Sequence, residues 1–152
     1  MMAYSIFKKG SAVDISMVLE NRDRRVAVQQ RILEETPDKV LIVMKLNVPG
    51  PIKNNMALEQ LFTIGVHRFN SMLVQNNLVV TTIMKWHELT GNELFCQSSG
   101  DSAVVKRVAV EFEDMDLLGR IFDVDILIGN PAKAISRTDL GFPLRHCFVC
   151  QR

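Results

Sequence analysis

Asp123 and Asp125 stand two residues apart within Leu118-Gly-Arg-Ile-Phe-Asp-Val-Asp-Ile-Leu127, a run otherwise rich in β-branched and aromatic side chains. Alternate side chains of a β-strand share a face, so the two carboxylates point to the same side. Like charges side by side on an apolar strand repel each other and resist burial. A divalent cation or a cluster of cationic side chains removes that conflict. Mg²⁺ prefers oxygen ligands, typically one or two carboxylates together with substrate phosphates. The chemistry this pair suggests first is therefore phosphoryl or nucleotidyl transfer. The bland alternative is a solvated strand face with two unpaired aspartates.

Other groups bear on that chemistry. Asn47-Val-Pro-Gly-Pro-Ile-Lys53 lies between an apolar strand and a helix start. Gly50 lets backbone approach a ligand, and helix N-termini offer free N–H groups suited to phosphate. Lys53 adds a full charge; taken alone, the stretch reads first as a structural strand-to-helix turn with a solvated lysine. Glu111, Glu113, Asp114 and Asp116 precede Asp123 and Asp125, with Arg120 the one cation among them. A metal would offset that density, and so would exposure as a soluble acidic loop. Cys147-Phe-Val-Cys150, beside His146, is half of a zinc site or a redox pair. Only Cys96 and His146 are at hand to complete it, and zinc is not expected there. His67 and His87 read as helix-face and strand-end residues, Trp86 as core or interface, and Ser136-Arg137-x-Asp139 as a capping or turn device. Arg22, Arg24, Arg25 and Arg31 crowd the first helix, and Arg137, Arg145 and Arg152 the C-terminus.

The elements that must position these residues follow from periodicity and punctuation. Residues 14–35 read as a helix capped by Asp14, with Ile15, Val18, Leu19, Val26 and Ile32 at helical spacing before Pro37. Residues 39–47 read as a strand buried on both faces, followed by the Pro-Gly-Pro turn. Asn54 or Asn55 opens a second helix to about residue 75, and Asn76-Asn77 breaks it. Strands follow at 78–87 and 93–98 around a turn at Thr90-Gly91-Asn92. Residues 102–115 fit a helix stripe through Val104, Val105, Val108, Ala109, Phe112 and Met115 and also a strand face through Val104, Val108, Val110 and Phe112; the cap offered by Asp101 and Ser102 just after Gly100 favours the helix. A last strand spans 121–128, Gly129-Asn130-Pro131 ends it, and the remainder looks irregular. The order after the first helix is β-α-β-β-α-β, the pattern of a ferredoxin-like α+β sandwich.

The 152 residues fit a single domain, 1–152. A formal charge of +1 provides no overall field selecting nucleic acid or a membrane surface. No apolar run approaches the ~18 residues of a membrane span, and the N-terminus lacks a signal-peptide core. Three cysteines without a signal peptide suggest reduced thiols in a cytoplasmic protein.

Five stretches in one order carry a resemblance. They are residues 15–35 with Arg22, Arg25 and Gln30, Asn47-x-Pro-Gly-Pro-Ile-Lys53, Leu118 to Leu127, Ser136-Arg-x-Asp-Leu-Gly-x-Pro143 and Arg145-x-Cys-x-x-Cys150. Together they resemble the holo-citrate lyase synthase family, also called apo-citrate lyase phosphoribosyl-dephospho-CoA transferase, from about residue 14 to the end. The resemblance implies attachment of the citrate lyase prosthetic group to its acyl carrier protein. The implied donor is 2′-(5″-triphosphoribosyl)-3′-dephospho-CoA: a carrier serine attacks the phosphorus nearest the ribose, diphosphate leaves, and a phosphodiester remains. It further implies that Asp123 and Asp125 hold Mg²⁺, with Asp125 or Glu111 taking the serine proton. Gly50 and Lys53 would hold the diphosphate and Arg120 would neutralise the triphosphate. Arg22 and Arg25 would meet donor phosphates or the acidic carrier, and Arg137 and Arg145 join the substrate-binding set. Neither nucleic acid nor membrane is an expected partner.

Two departures qualify the resemblance. Relatives often carry His-Pro before Leu-Gly-Arg, where this chain has Asp116-Leu117. They also often continue beyond C-x-x-C with a further cysteine, arginine and histidine, and some are fused to the enzyme that makes the donor. If that tail completes a metal site or a substrate clamp, the expectation is a protein that lacks it, a shortened gene or an excised domain. The alternative function is a non-catalytic module that binds the carrier or a nucleotide.

Overall fold

The computed structural model describes residues 6–146. Helix α1 runs Ile15–Glu35, opened by the Asp14 carboxylate accepting the Met17 N–H at 2.8 Å. Strand β1 is Val40–Leu46 and helix α2 is Met56–Gln75, capped by Asn55 through the Leu58 N–H at 2.8 Å. Asn76 ends α2, and Asn77 takes a left-handed φ of 57°. Strands β2 (Val80–Glu88) and β3 (Gly91–Ser98) form a hairpin turning at Leu89 and Thr90, earlier than the sequence suggested. Helix α3, Ser102–Asp114, is capped by Asp101, which accepts from the Ala103 and Val104 N–H groups. A short α4, Leu117–Arg120, precedes β4, Phe122–Ile128, and a two-residue β5, Lys133–Ala134.

The sheet order is β2-β3-β1-β4-β5, with every neighbouring pair antiparallel. Strand β3 lies between β1 and β2, and β1 lies between β3 and β4. These are the two interlocked split β-α-β units of the expected ferredoxin-like arrangement. Strand β1 is central and alternates between two cores. Val40, Ile42 and Met44 meet the layer of α2 and α3, where Phe62, Phe69, Phe112 and Phe122 interlock with ring centroids 5.3–5.8 Å apart. Leu41 and Val43 face the opposite side, where Ile32 and Leu33 of α1 cover Phe95 and Leu127.

Three details depart from the sequence reading. The buried residues of α1 are Asn21, Gln29, Ile32 and Leu33, whereas Ile15, Val18, Leu19 and Val26 are exposed. The N-terminal half of the helix turns polar side chains toward the sheet, for reasons that belong to the site. Leu118, Gly119 and Arg120 are helical rather than part of the strand approach. The stretch after β4 is partly ordered into β5 and a 3₁₀ turn at Thr138–Leu140. No helix among the described residues is long and apolar enough to cross a membrane.

Candidate active site

The register of the three central strands builds the floor. Lys45 of β1 lies opposite Glu93 of β3 on one side and Asp123 of β4 on the other. The three side chains form a row, carboxylate–ammonium–carboxylate, on the α1 side of the sheet. Asp125 is two residues along β4, opposite Val43, so the pair shares a face as expected. Lys45 Nζ donates to Asp123 Oδ2 at 2.9 Å, and Arg145 Nη1 donates to Asp123 Oδ1 at 3.0 Å.

Glu93 is 3% exposed, and a carboxylate so buried requires partners. Arg25 pairs with it, Asn21 donates to it at 3.0 Å, and Arg25 also donates to Asn21 at 2.8 Å. These contacts explain why α1 buries polar residues where an apolar stripe was expected.

Asp125 differs from both neighbours. It is exposed, and among the described residues it makes no hydrogen bond or ion pair. Its carboxyl is nevertheless pushed above the ordinary aspartate range, first by desolvation, with the Asp123 charge adding to the rise. Lys45, Lys106 and Arg25 pull the other way. Water reaches this carboxylate even though protein surrounds much of it.

The loop after β1 forms one rim. The Asn47 N–H donates to the Ile121 carbonyl at 2.6 Å, and the Val13 N–H to the Pro51 carbonyl at 2.9 Å, tying the loop to β4 and α1. Gly50 adopts φ +81°, and a Cβ there would touch nothing within 4 Å, so the loop tip is bare. Lys53 Nζ donates to the Val48 carbonyl at 2.7 Å. Burial first, and then the nearby Lys45 charge, lower its pKa. A cleft of about 300 Å³ separates Gly50, Pro51 and Lys53 from Asp14, Ile15, Val18 and Leu19 of α1.

The C-terminal segment closes the open edge of β4. β5 pairs only with Leu127 and Ile128. Farther up the strand, the Val124 N–H donates to Glu113 Oε2 at 3.0 Å. Arg145 reaches Glu113 Oε2 at 3.0 Å, Asp123 and the Arg120 carbonyl. Arg137 reaches Glu113 Oε1 at 3.1 Å and Asp114 at 2.9 Å. Burial pushes the Glu113 carboxyl up, while the Val124 N–H and both arginines pull it down. Ser136 and Asp139 cap one another, the Ser136 N–H donating to Asp139 and the Asp139 N–H to Ser136 Oγ.

Asp123 and Asp125 therefore share one face of the sheet with Lys45 and Glu93, and Arg25 joins them through Glu93; Lys53 lies near enough to Lys45 to feel its charge, while Gly50 lines the cleft between Lys53 and α1. Arg145 touches Asp123, and Arg137 is one step removed in the ion-pair network. Arg120, half-buried, lines a hollow with Arg137 and Arg145. Arg22 is exposed on α1 without an ion pair among the described residues. Glu111 is exposed on α3, two residues before buried Glu113 and so on the other side of that helix. Lys45, Glu93 and Asn21 were not singled out in the sequence. The signal was a lysine near the end of an otherwise apolar strand and a glutamate leading Leu-Phe-Cys. Cys96 is buried in the core with its thiol pushed up by burial. Cys147 and Cys150 lie outside the described residues. A cavity of about 430 Å³ lies on the other face between α2 and β1–β3 and is lined mostly by apolar residues and no carboxylate. It offers none of the chemistry gathered on the α1 side.

Comparison with known proteins bears on the family of the chain. The profile of the family described as "Apo-citrate lyase phosphoribosyl-dephospho-CoA transferase" matches residues 13–152. Protein CitXG of Leuconostoc mesenteroides subsp. cremoris is 33% identical over 144 residues, which is 95% of this chain and 31% of that protein. The chain thus spans about a third of that relative's length. The probable apo-citrate lyase phosphoribosyl-dephospho-CoA transferase of Streptococcus pyogenes serotype M18 (strain MGAS8232) is 30% identical over 154 residues, covering 99% of this chain and 79% of the relative. The apo-citrate lyase phosphoribosyl-dephospho-CoA transferase of Escherichia coli O1:K1 / APEC is 27% identical over 146 residues, covering 96% and 79%. With the profile spanning nearly every described residue of the sheet, both helical layers and the loop of Gly50, the chain belongs to the apo-citrate lyase phosphoribosyl-dephospho-CoA transferase family.

Proposed function

We propose that this protein, acting in the cytoplasm, moves the phosphoribosyl-dephospho-CoA group from 2′-(5″-triphosphoribosyl)-3′-dephospho-CoA to a serine of the citrate lyase acyl carrier protein, releasing diphosphate. Family membership supports the reaction class. The observation that carries the reading to a site is Asp125, a crowded carboxylate without a protein partner among the described residues, beside the Asp123–Lys45 pair on the same face of the sheet. In the step proposed, the serine oxygen forms a bond to the phosphorus nearest the ribose and the bond from that phosphorus to the diphosphate oxygen breaks. The serine proton passes to a carboxylate. Of the two considered, Asp125 lies on the floor and Glu111 on the outside of α3. Charge develops on phosphoryl oxygens, so positioned cations lower the barrier. Lys53 and Lys45 are the cations this reading assigns to the departing diphosphate, with the bare Gly50 backbone as a further contact for its oxygens.

Asp123 and Asp125 fit a Mg²⁺ ion. They supply two carboxylates on one face, and Asp123 retains unused lone pairs beyond those taken by Lys45 and Arg145. Among the described residues no group of three or more His, Cys, Asp or Glu could hold a metal ion by itself, so an ion here would need substrate phosphates to complete its shell. When bound there, it would supply charge neutralisation to the phosphates.

The test is carrier-dependent diphosphate release. With purified apo-carrier, the triphosphoribosyl donor and Mg²⁺, diphosphate appears in proportion to carrier modified. Donor binding without release would leave a binding module, and release of monophosphate would point to a different bond.

A further inference from the structure

We propose that the two aspartates of β4 have different roles. Arg145 and Lys45 fix Asp123 as an anchor, Arg145 being a positioning residue of the site rather than a phosphate ligand, and Asp125, without a protein partner among the described residues, is the carboxylate that takes the serine proton. The proposal goes beyond the transferase reading, and its kinetic arm rests on that reading.

Both oxygens of Asp123 are engaged, Oδ2 by Lys45 at 2.9 Å and Oδ1 by Arg145 at 3.0 Å. Two donors from opposite directions leave this carboxylate little rotational freedom. Arg145 is itself fixed, because its guanidinium also meets Glu113 on α3 and the Arg120 carbonyl at the end of α4. Its side chain is 22% exposed, so these bonds are screened less than those of a surface pair. Glu113 completes the clamp by accepting the N–H of Val124, the residue between the two aspartates, where β5 no longer pairs with the strand. An arginine leaving to bind phosphate would abandon Asp123 and loosen a carboxylate that is 4% exposed. Asp125 has no such restraint among the described residues and opens to solvent. Misplacing a reacting group by about 1 Å costs on the order of 100-fold in rate, so a clamp that orients β4 affects turnover more than donor affinity.

The experiment compares Arg145→Gln and Arg145→Lys with the unmodified chain by two readouts. One is native-state hydrogen exchange at the Val124 amide. The other is kcat and KM for the triphosphoribosyl donor in the carrier assay. The clamp predicts exchange at Val124 about 10-fold faster or more in Arg145→Gln. It predicts kcat lower by roughly 10- to 100-fold with donor KM within about 3-fold, and partial recovery of both readouts in Arg145→Lys. A raised donor KM with kcat retained would make Arg145 a substrate ligand and overturn the proposal, as would unchanged exchange at Val124. Should Arg145→Gln fail to fold, Arg145→Lys decides by the same two readouts. An unmodified chain that transfers nothing removes the functional reading, while Val124 exchange still decides the clamp.

Discussion

Charge on Asp125 is costly to maintain, because the site desolvates it and Asp123 repels it. An acid whose folded pKa is above its unfolded value binds more protons in the native state. Stability therefore falls as pH rises from the unfolded pKa through the folded one. Asp125→Asn removes that penalty, so in EDTA at pH 7 the variant melts at a higher temperature than the parent. The gain shrinks as pH falls toward the ordinary aspartate range; an equal or lower melting temperature at pH 7 would mean the carboxylate is not desolvated. Stability traded for a reactive group is common at functional sites. Glu93 presents the opposite case: Arg25→Met strands a buried carboxylate, and urea unfolding should show a loss of about 3 kcal/mol. No loss would mean that Asn21 and water suffice. Asp123, Asp125 and Lys53 were legible in the sequence because spacing and loop chemistry are local. Lys45 and Glu93 were not, because their row exists only once β3, β1 and β4 pair in register.

Elements with strong local signals were legible to within one or two residues. Asp14, Asn55 and Asp101 cap their helices as expected, and Asn76 stops α2. What failed had no local signal or a misleading one. A four-residue helix and a two-residue strand carry no periodicity. The apolar spacing along α1 pointed to the wrong face, since the helix buries Asn21 and Gln29 and its pairing with Glu93 overrides hydrophobic patterning. The glycine of Leu-Gly-Arg is explained at this scale. A Cβ on Gly119 would fall on the Phe112 carbonyl oxygen where α4 packs against the end of α3. Gly119→Ala must push α4 away, so thermal or urea unfolding should register a loss of roughly 1–3 kcal/mol. Parental stability would show that α4 adjusts freely. Because α4 leads into Phe122 and Asp123, the variant should lose transfer activity as well.

Across the whole molecule, one sheet serves two purposes. Its α2–α3 face is a continuous aromatic and aliphatic core, which anchors β4 through Phe122, Val124 and Ile126. Its α1 face is apolar at one end, around Leu41, Phe95 and Leu127, and charged at the other. The strand order was legible from the β-α-β-β-α-β sequence, because split β-α-β units admit few arrangements. The placement of α1 opposite the other two long helices was not, since nothing in its sequence states which face of the sheet it covers. That placement gathers segments far apart in the chain, from Arg25 to Arg145, around the Glu93–Lys45–Asp123 row beside Asp125. The measurement that tests this most directly is the intact mass of citrate lyase apo-carrier after incubation with the triphosphoribosyl donor, Mg²⁺ and either the parent chain or Asp125→Asn. The parent should add the mass of one phosphoribosyl-dephospho-CoA group and the folded variant none; equal modification by both would contradict the assignment of Asp125 as the reactive carboxylate of the site.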